Sequence, residues 1–197
     1  MFARDAAAGS GSLAQTRVYL VTGVSGAGKT TAARKLRAWG HEAVSLDADP
    51  RLCGWVDHSG QRVDRPAAPG AAWLATHRWV WDVTRLDDLV EEIRQRPVTT
   101  AWLCGQAANA IELADRFDAW FLLDIDQQTM RRRIRGDSRG NDFGRVGDTL
   151  HAALASHLEF VAAWRRRGAH TVDATQPLDR VVEDLLMAGA QAALHLP

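Results

Sequence analysis

Residues 23–31 read Gly23-Val24-Ser25-Gly26-Ala27-Gly28-Lys29-Thr30-Thr31. The spacing Gly23-x4-Gly28-Lys29-Thr30 suits one task, wrapping a chain of phosphates in backbone N–H groups. Glycines let the backbone turn those groups inward with no Cβ in the way. Lys29 can bring a compact ammonium to the β- and γ-phosphates, and the Thr30 hydroxyl can ligate Mg²⁺. Thr31 is placed to reach an α-phosphate oxygen. A chance glycine turn is the bland alternative. Against it stand the apolar run Val18-Tyr19-Leu20-Val21 before the loop and helical spacing after it, whose N-terminus adds partial positive charge.

A second constellation follows at Asp47-Ala48-Asp49. Carboxylates at i and i+2 point the same way off an extended chain, so both can face a γ-phosphate. One can hold Mg²⁺ through water and the other can take a proton from an attacking hydroxyl. We assign the metal side to Asp47, with Thr30, and the proton to Asp49. The plainer alternative is that both merely cap a turn beside Pro50.

The cations are unevenly chosen. Of 24 basic side chains, only Lys29 and Lys35 are lysines. One of those two falls where a point charge suits phosphate better than a planar fork. Met130-Arg131-Arg132-Arg133-Ile134-Arg135 puts apolar Met130 and Ile134 on one helical face and arginines around the rest. Such a run is usually a solvated face, but here it leads into the glycine-rich loop GDSRGNDFGRVG at 136–147, which carries Arg139 and Arg145. Trp55, Trp73, Trp79 and Trp81 supply half of the 8 tryptophans within one short stretch. Tryptophan at helical spacing usually packs against a sheet. Trp55, nearest Asp49, is the one we place in a pocket, and His77 we read as a structural histidine.

The elements needed to position these groups are legible. Strands are expected at 17–22, 43–46, 98–103, 119–125 and 170–173. Helices are expected at 29–39, 71–95 in two pieces, 109–116, 127–135 after an Asp126 cap, 148–167, and onward from Pro177. Residues 49–69 read as irregular. Strands alternating with helices give a parallel sheet covered on both faces. Residues 1–16 read as a flexible leader. The remainder, 17–197, reads as one domain with a substrate-binding insertion near 50–97 and a lid near 136–147.

With the phosphate loop at 23–30, D-x-D at 47–49, the arginine helix and glycine loop at 131–145, and VDATQP at 172–177, the chain resembles the P-loop small-molecule and nucleoside-monophosphate kinases. The likeness is to shikimate, gluconate and adenylylsulfate kinases and to chloramphenicol phosphotransferase. It implies a three-layer α/β/α sandwich with a five-stranded parallel sheet in order 2-3-1-4-5 and a mobile lid. It also implies ATP as donor, with a hydroxyl or phosphate oxygen of a small molecule as acceptor. Arg133 would then lie over the adenine, Arg139 would clamp the transferred phosphate, and Ala174–Pro177 would flank the adenine. The third strand runs into Cys104-Gly105-Gln106-Ala107, without the glycine triplet of shikimate kinases, and the Asp-Gly-Phe-Pro-Arg of adenylate kinases is absent.

Composition bounds the rest. Acidic and basic residues balance at 24 each, so no global field recruits nucleic acid or an anionic membrane. No stretch reaches spanning length and no signal-peptide core precedes the first strand, so a cytoplasmic monomer or homodimer is expected. Two cysteines fit a reducing interior. The leading expectation is γ-phosphoryl transfer from ATP to a hydroxyl of a small acceptor, ring-bearing if tryptophans wall its pocket. Two others remain open. One is a nucleoside or nucleotide kinase using Arg51, Arg62, Arg65 or Arg78. The other is a nucleotide-dependent switch module, which should show an aspartate after the third strand and a base-specifying motif.

Overall fold

The computed structural model describes residues 15–136 and 143–195. Its parallel sheet contains β1 (Arg17–Thr22), β2 (Glu42–Ser45), β6 (Thr100–Cys104), β7 (Ala119–Asp124) and β8 (His170–Asp173). Their spatial order is β2-β6-β1-β7-β8, which by chain order within the sheet is the expected 2-3-1-4-5. Every pairing is parallel.

The three inner strands β1, β6 and β7 are mostly apolar because both faces are covered. Side chains of β1 alternate between two cores. Tyr19 and Val21 join one with α1 (Lys29–Ala38) and α7 (Leu178–His195), while Val18 and Leu20 join the other with α3 (Val83–Arg94) and α6 (His157–Arg166). Thus 3.6-residue stripes such as Leu86, Leu89, Val90 and Ile93 meet a two-residue period in the strands. The switch from strand to helix after β7 is made by Asp126, whose carboxylate accepts the Thr129 N–H at 2.7 Å and starts α4 (Gln127–Arg135).

The insertion differs from the sequence expectation. Residues read as irregular or helical contain β3 (Cys53–Val56), β4 (Arg62–Val63) and β5 (Arg78–Trp81), an antiparallel sheet ordered β4-β3-β5, with only the short α2 (Ala71–Thr76) between β4 and β5. Trp79 and Trp81 repeat at two, not at helical spacing, and sit opposite Trp55 and Cys53. The free edge of β5 is met by a side chain. Asn109 Oδ1 accepts the Trp81 N–H at 3.0 Å, and Asn109 Nδ2 donates to the Trp81 carbonyl at 2.9 Å. With Asn109 spent there, residues 109–116 form turns and one 3-10 turn, Ala114–Arg116, in place of the expected helix. The expected helix over 148–167 is likewise divided at Ser156 into α5 (Thr149–Ala155) and α6. Thr16, assigned to the leader, is buried with its hydroxyl 2.6 and 2.7 Å from the Arg96 and Val98 carbonyl oxygens.

Helix α7 closes on the sheet at one narrow point. A Cβ built on Gly189 would lie 2.5 Å from the Trp102 ring, which is wedged against Tyr19 and Phe121. Gly189→Ala gains at most about 1 kcal/mol of helix propensity but overpacks a ring that cannot retreat, at about 1–3 kcal/mol. Urea unfolding should therefore show the variant less stable than the parent, despite alanine being the better helix former.

Candidate active site

The phosphate loop leaves β1 and returns as α1. Gly26 and Gly28 adopt φ of 86° and 101°, a left-handed conformation that favours glycine. Gly28 is the residue before the first helical turn. No side chain caps that turn and no acidic residue lies in it, so its N–H groups are left for an anion. The Lys29 ammonium is buried and donates to the Gly23 carbonyl at 2.8 Å and the Val24 carbonyl at 3.2 Å. The ammonium thus folds back over the loop it serves. The Thr30 hydroxyl lies 3.4 Å from the Ser45 hydroxyl at the end of β2, which puts two hard oxygens together.

Asp47 shares the cleft with Lys29. Its Oδ1 accepts the Gln106 N–H at 3.1 Å. Gly105 makes this possible, since a Cβ there would stand 3.1 Å from that oxygen and 2.7 Å from Leu46 Cβ. Burial holds the Asp47 carboxyl above its ordinary value, partly offset by the Lys29 charge and the Gln106 N–H.

Asp49 is not beside it. The chain at Leu46–Ala48 is a 3-10 turn, so the two aspartates do not share the orientation an extended strand would give them. Asp49 Oδ1 instead accepts the Arg51 N–H at 2.9 Å, and Oδ2 lies 3.4 Å from Arg85 Nε. The Arg51 N–H, more than any other contact, holds the Asp49 carboxyl below its ordinary value. The sequence carried no signal for Arg85, which comes from α3, far along the chain.

Among the described arginines that line the cleft, Arg133 reaches the loop after β1 and the loop after β8 together. It donates to the Ala174 carbonyl at 2.8 Å and lies 3.5 Å from the Gly26 and Ala27 carbonyl oxygens. It therefore bridges the phosphate loop and the loop after β8. That second loop is pinned by Asp173, whose Oδ1 accepts the Thr175 N–H at 2.9 Å. Arg139 lies outside the described residues. Of the loop that follows, Phe143 reaches the insertion, its ring 6.1 Å from that of Trp55.

Lys29, Thr30, Ser45, Asp47, Arg133 and Phe143 line one cleft of about 1570 Å³ running from the phosphate loop to the insertion. Val24, Ser25, Ala27 and Thr31, from the loop after β1 and the start of α1, line one end of it. Trp55 and Trp79 line its far end, whereas Trp81 is core at 1% exposure. His77 also lines it, but its Nδ1 is taken up by the Trp73 carbonyl at 2.8 Å. Among the described residues no cluster of three metal-ligating side chains occurs, and no helix is long and apolar enough to cross a membrane. A buried cation, an uncapped helix terminus and a half-buried carboxylate around one space can hold a polyphosphate and orient an oxygen nucleophile at its end.

No family model matches the chain. A nucleotide-binding protein of Cereibacter sphaeroides strain KD131 is 27% identical over 163 residues, covering 81% of this chain and 46% of that protein. Another, from strain ATCC 17029, matches equally at 27%. The chain thus spans about half the length of the curated relatives it matches. A gluconokinase from Sinorhizobium meliloti 1021 superposes with a TM-score of 0.53 at 19% identity, covering 92% of this chain and 95% of that one. A shikimate kinase from Acinetobacter baumannii, in complex with shikimate, gives 0.52 at 18% identity, over 91% and 96%. A sugar kinase from Janibacter sp. HTCC2649 gives 0.51 at 21% identity, over 87% and 93%. The sheet order, the loop after β1 and these superpositions agree: the chain has the fold of the P-loop kinases.

Proposed function

We propose that the protein transfers the γ-phosphoryl group of ATP to a hydroxyl of a small molecule. The observation that supports this most is the placing of Lys29 and Asp47 on one cleft that continues past the phosphate loop to a far end lined by the insertion, the far chamber. A site that only bound or hydrolysed nucleotide would have no use for that chamber. A switch module is further disfavoured because β6 ends in Cys104, where such modules carry an aspartate.

The uncapped helix terminus fits a polyphosphate, and the Thr30 and Ser45 hydroxyls fit a hard cation. Bound there, magnesium would neutralise charge on the β- and γ-oxygens. Lys29 holds the same oxygens in line. Arg133, held between the phosphate loop and the Ala174 loop, would pack over the base of a bound nucleotide. The acceptor oxygen forms a bond to the γ-phosphorus as the bond to the β,γ-bridging oxygen breaks. ADP leaves with that electron pair, and the hydroxyl proton goes to a carboxylate.

We assign that proton to Asp47 and not to Asp49, the residue favoured by spacing alone. Asp47 has one oxygen engaged by Gln106 and the other available to the cleft, whereas Asp49 is held by Arg51 and Arg85 outside the lining. A nucleoside-phosphate acceptor is the second reading, supported by Arg65 and Arg78 on the far chamber.

Two outcomes are expected. Lys29→Ala abolishes transfer while the circular dichroism of the fold survives. Asp47→Asn lowers kcat by about 10²–10⁴-fold, and Asp49→Asn by less than tenfold. A loss at Asp49 as large as that at Asp47 would return the proton to Asp49.

Asp47 also makes a stability prediction for the magnesium-free protein. Its folded pKa is raised, so the folded chain binds the proton more tightly than the unfolded one. Its contribution is most favourable below the unfolded value, about 3.9, and is lost as pH rises through the folded value. At neutral pH Asp47→Asn should therefore melt above the parent, with the difference shrinking on acidification. A variant melting below the parent at pH 7 would show that burial is not what dominates at this carboxylate.

A further inference from the structure

The far chamber has a wall chemistry that separates its occupant from the sugar acids handled by proteins of similar fold. Among the described residues, Trp55, Trp79, Phe143, Leu74 and Ile111 line it. The Trp55 ring lies 5.9 Å from Trp79 at 61° and 6.1 Å from Phe143 at 35°. None of these rings is stacked flat on its neighbour, so they form the sides of a box and not a closed pile. Trp73 is not part of the lining. It braces Trp55 from behind at 4.9 Å and is itself stacked on His77 at 4.2 Å and 7°. The walls are therefore held before any ligand arrives.

Among the described residues of the insertion and of the loop after β6 that line the cleft, the polar side chains are Arg65, His77, Arg78 and Gln106. His77 Nδ1 is spent on the Trp73 carbonyl, leaving Gln106, Arg65 and Arg78 as the main polar side chains. The Arg78 side chain is exposed and makes no hydrogen bond or ion pair with any described residue, while its backbone is paired opposite Val56. A polyol carries several hydroxyls, and each one buried unpaired costs about 1–3 kcal/mol. A planar ring loses nothing on such walls and gains edge-to-face contact.

The box is also fixed in position relative to the phosphate loop. The Ala108 N–H donates to the Trp79 carbonyl at 2.7 Å, and the Gln106 N–H, two residues earlier, holds Asp47. The aromatic wall thus stands one short loop from the carboxylate.

We infer that the acceptor is a planar aromatic or heteroaromatic molecule bearing a hydroxyl arm, its ring held by Trp55, Trp79 and Phe143 and an anionic or hydrogen-bond-accepting substituent met by Arg78. This rests on the phosphotransfer reading only for what becomes of the hydroxyl; the binding of the ring stands on the chamber itself.

The test measures binding and turnover separately on the full chain. Calorimetric titration with a non-hydrolysable ATP analogue present uses four probes: adenosine, para-carboxybenzyl alcohol, gluconate and shikimate. The ring compounds, one or both, should bind more tightly than either polyol, and Trp55→Ala should weaken them at least tenfold. Trp39→Ala, on the far side of α1, should leave them unchanged. Adenosine binding alone would identify a nucleoside, and the benzyl alcohol alone an aryl alcohol. Tighter binding of gluconate or shikimate, no binding of either ring compound, or indifference to Trp55→Ala would overturn the inference. Mass spectrometry with ATP then separates the two claims. A ring compound bound but never phosphorylated contradicts phosphotransfer and leaves the chamber standing. A polyol phosphorylated in preference contradicts the chamber and leaves phosphotransfer standing.

Discussion

Two opposite charges, on Lys29 and Asp47, are drawn out of water around one cleft, and much of the surrounding structure exists to tolerate that. Neither charge would be stable there without fixed partners. Lys29 receives the Gly23 and Val24 carbonyl oxygens, and Asp47 receives the Gln106 N–H. Those partners come from the carboxyl ends of β1 and β6, the strands at the centre of the sheet. Gly105 must lack a side chain because Asp47, Leu46 and Trp81 converge on the space it leaves. The parallel sheet supplies the rigidity, and its carboxyl edge is where the unsatisfied groups collect.

The insertion and the loop before α5 are tied to one another as well as to the sheet. The Ala71 N–H at the start of α2 donates to Asp148 Oδ2 at 2.7 Å, and the Asp148 N–H donates to the Pro69 carbonyl at 3.3 Å. Phe143, from the same loop, reaches Trp55. The two segments that enclose the far chamber therefore meet across it. The insertion and residues 143–148 are thus joined by two hydrogen bonds and one ring contact.

What was legible in the sequence was local chemistry. The phosphate loop announces itself because glycine spacing, lysine and hydroxyl are all set by one short turn. The inner strands β1, β6 and β7 announce themselves as apolar runs, and the strand order followed from resemblance. Helix starts governed by a single side chain, such as Asp126, were equally readable. The insertion was not, because β3, β4 and β5 are short, and although β3 meets β4 across one tight turn, β5 pairs with β3 from far along the chain. Asn109 completes the edge of β5 from 28 residues beyond Trp81. The same reason hid the Asp49–Arg85 pair, and a 3-10 turn over Leu46–Ala48 separated two aspartates whose spacing implied a shared direction.

The fate of the γ-phosphoryl group separates phosphotransfer from hydrolysis. Phosphorus NMR of the protein with magnesium, ATP and each acceptor in turn reads that directly. We predict a new phosphomonoester resonance that grows in step with ADP for at least one hydroxyl-bearing acceptor. ADP accompanied only by inorganic phosphate, whatever acceptor is supplied, would contradict phosphotransfer and identify the cleft as a hydrolytic nucleotide switch.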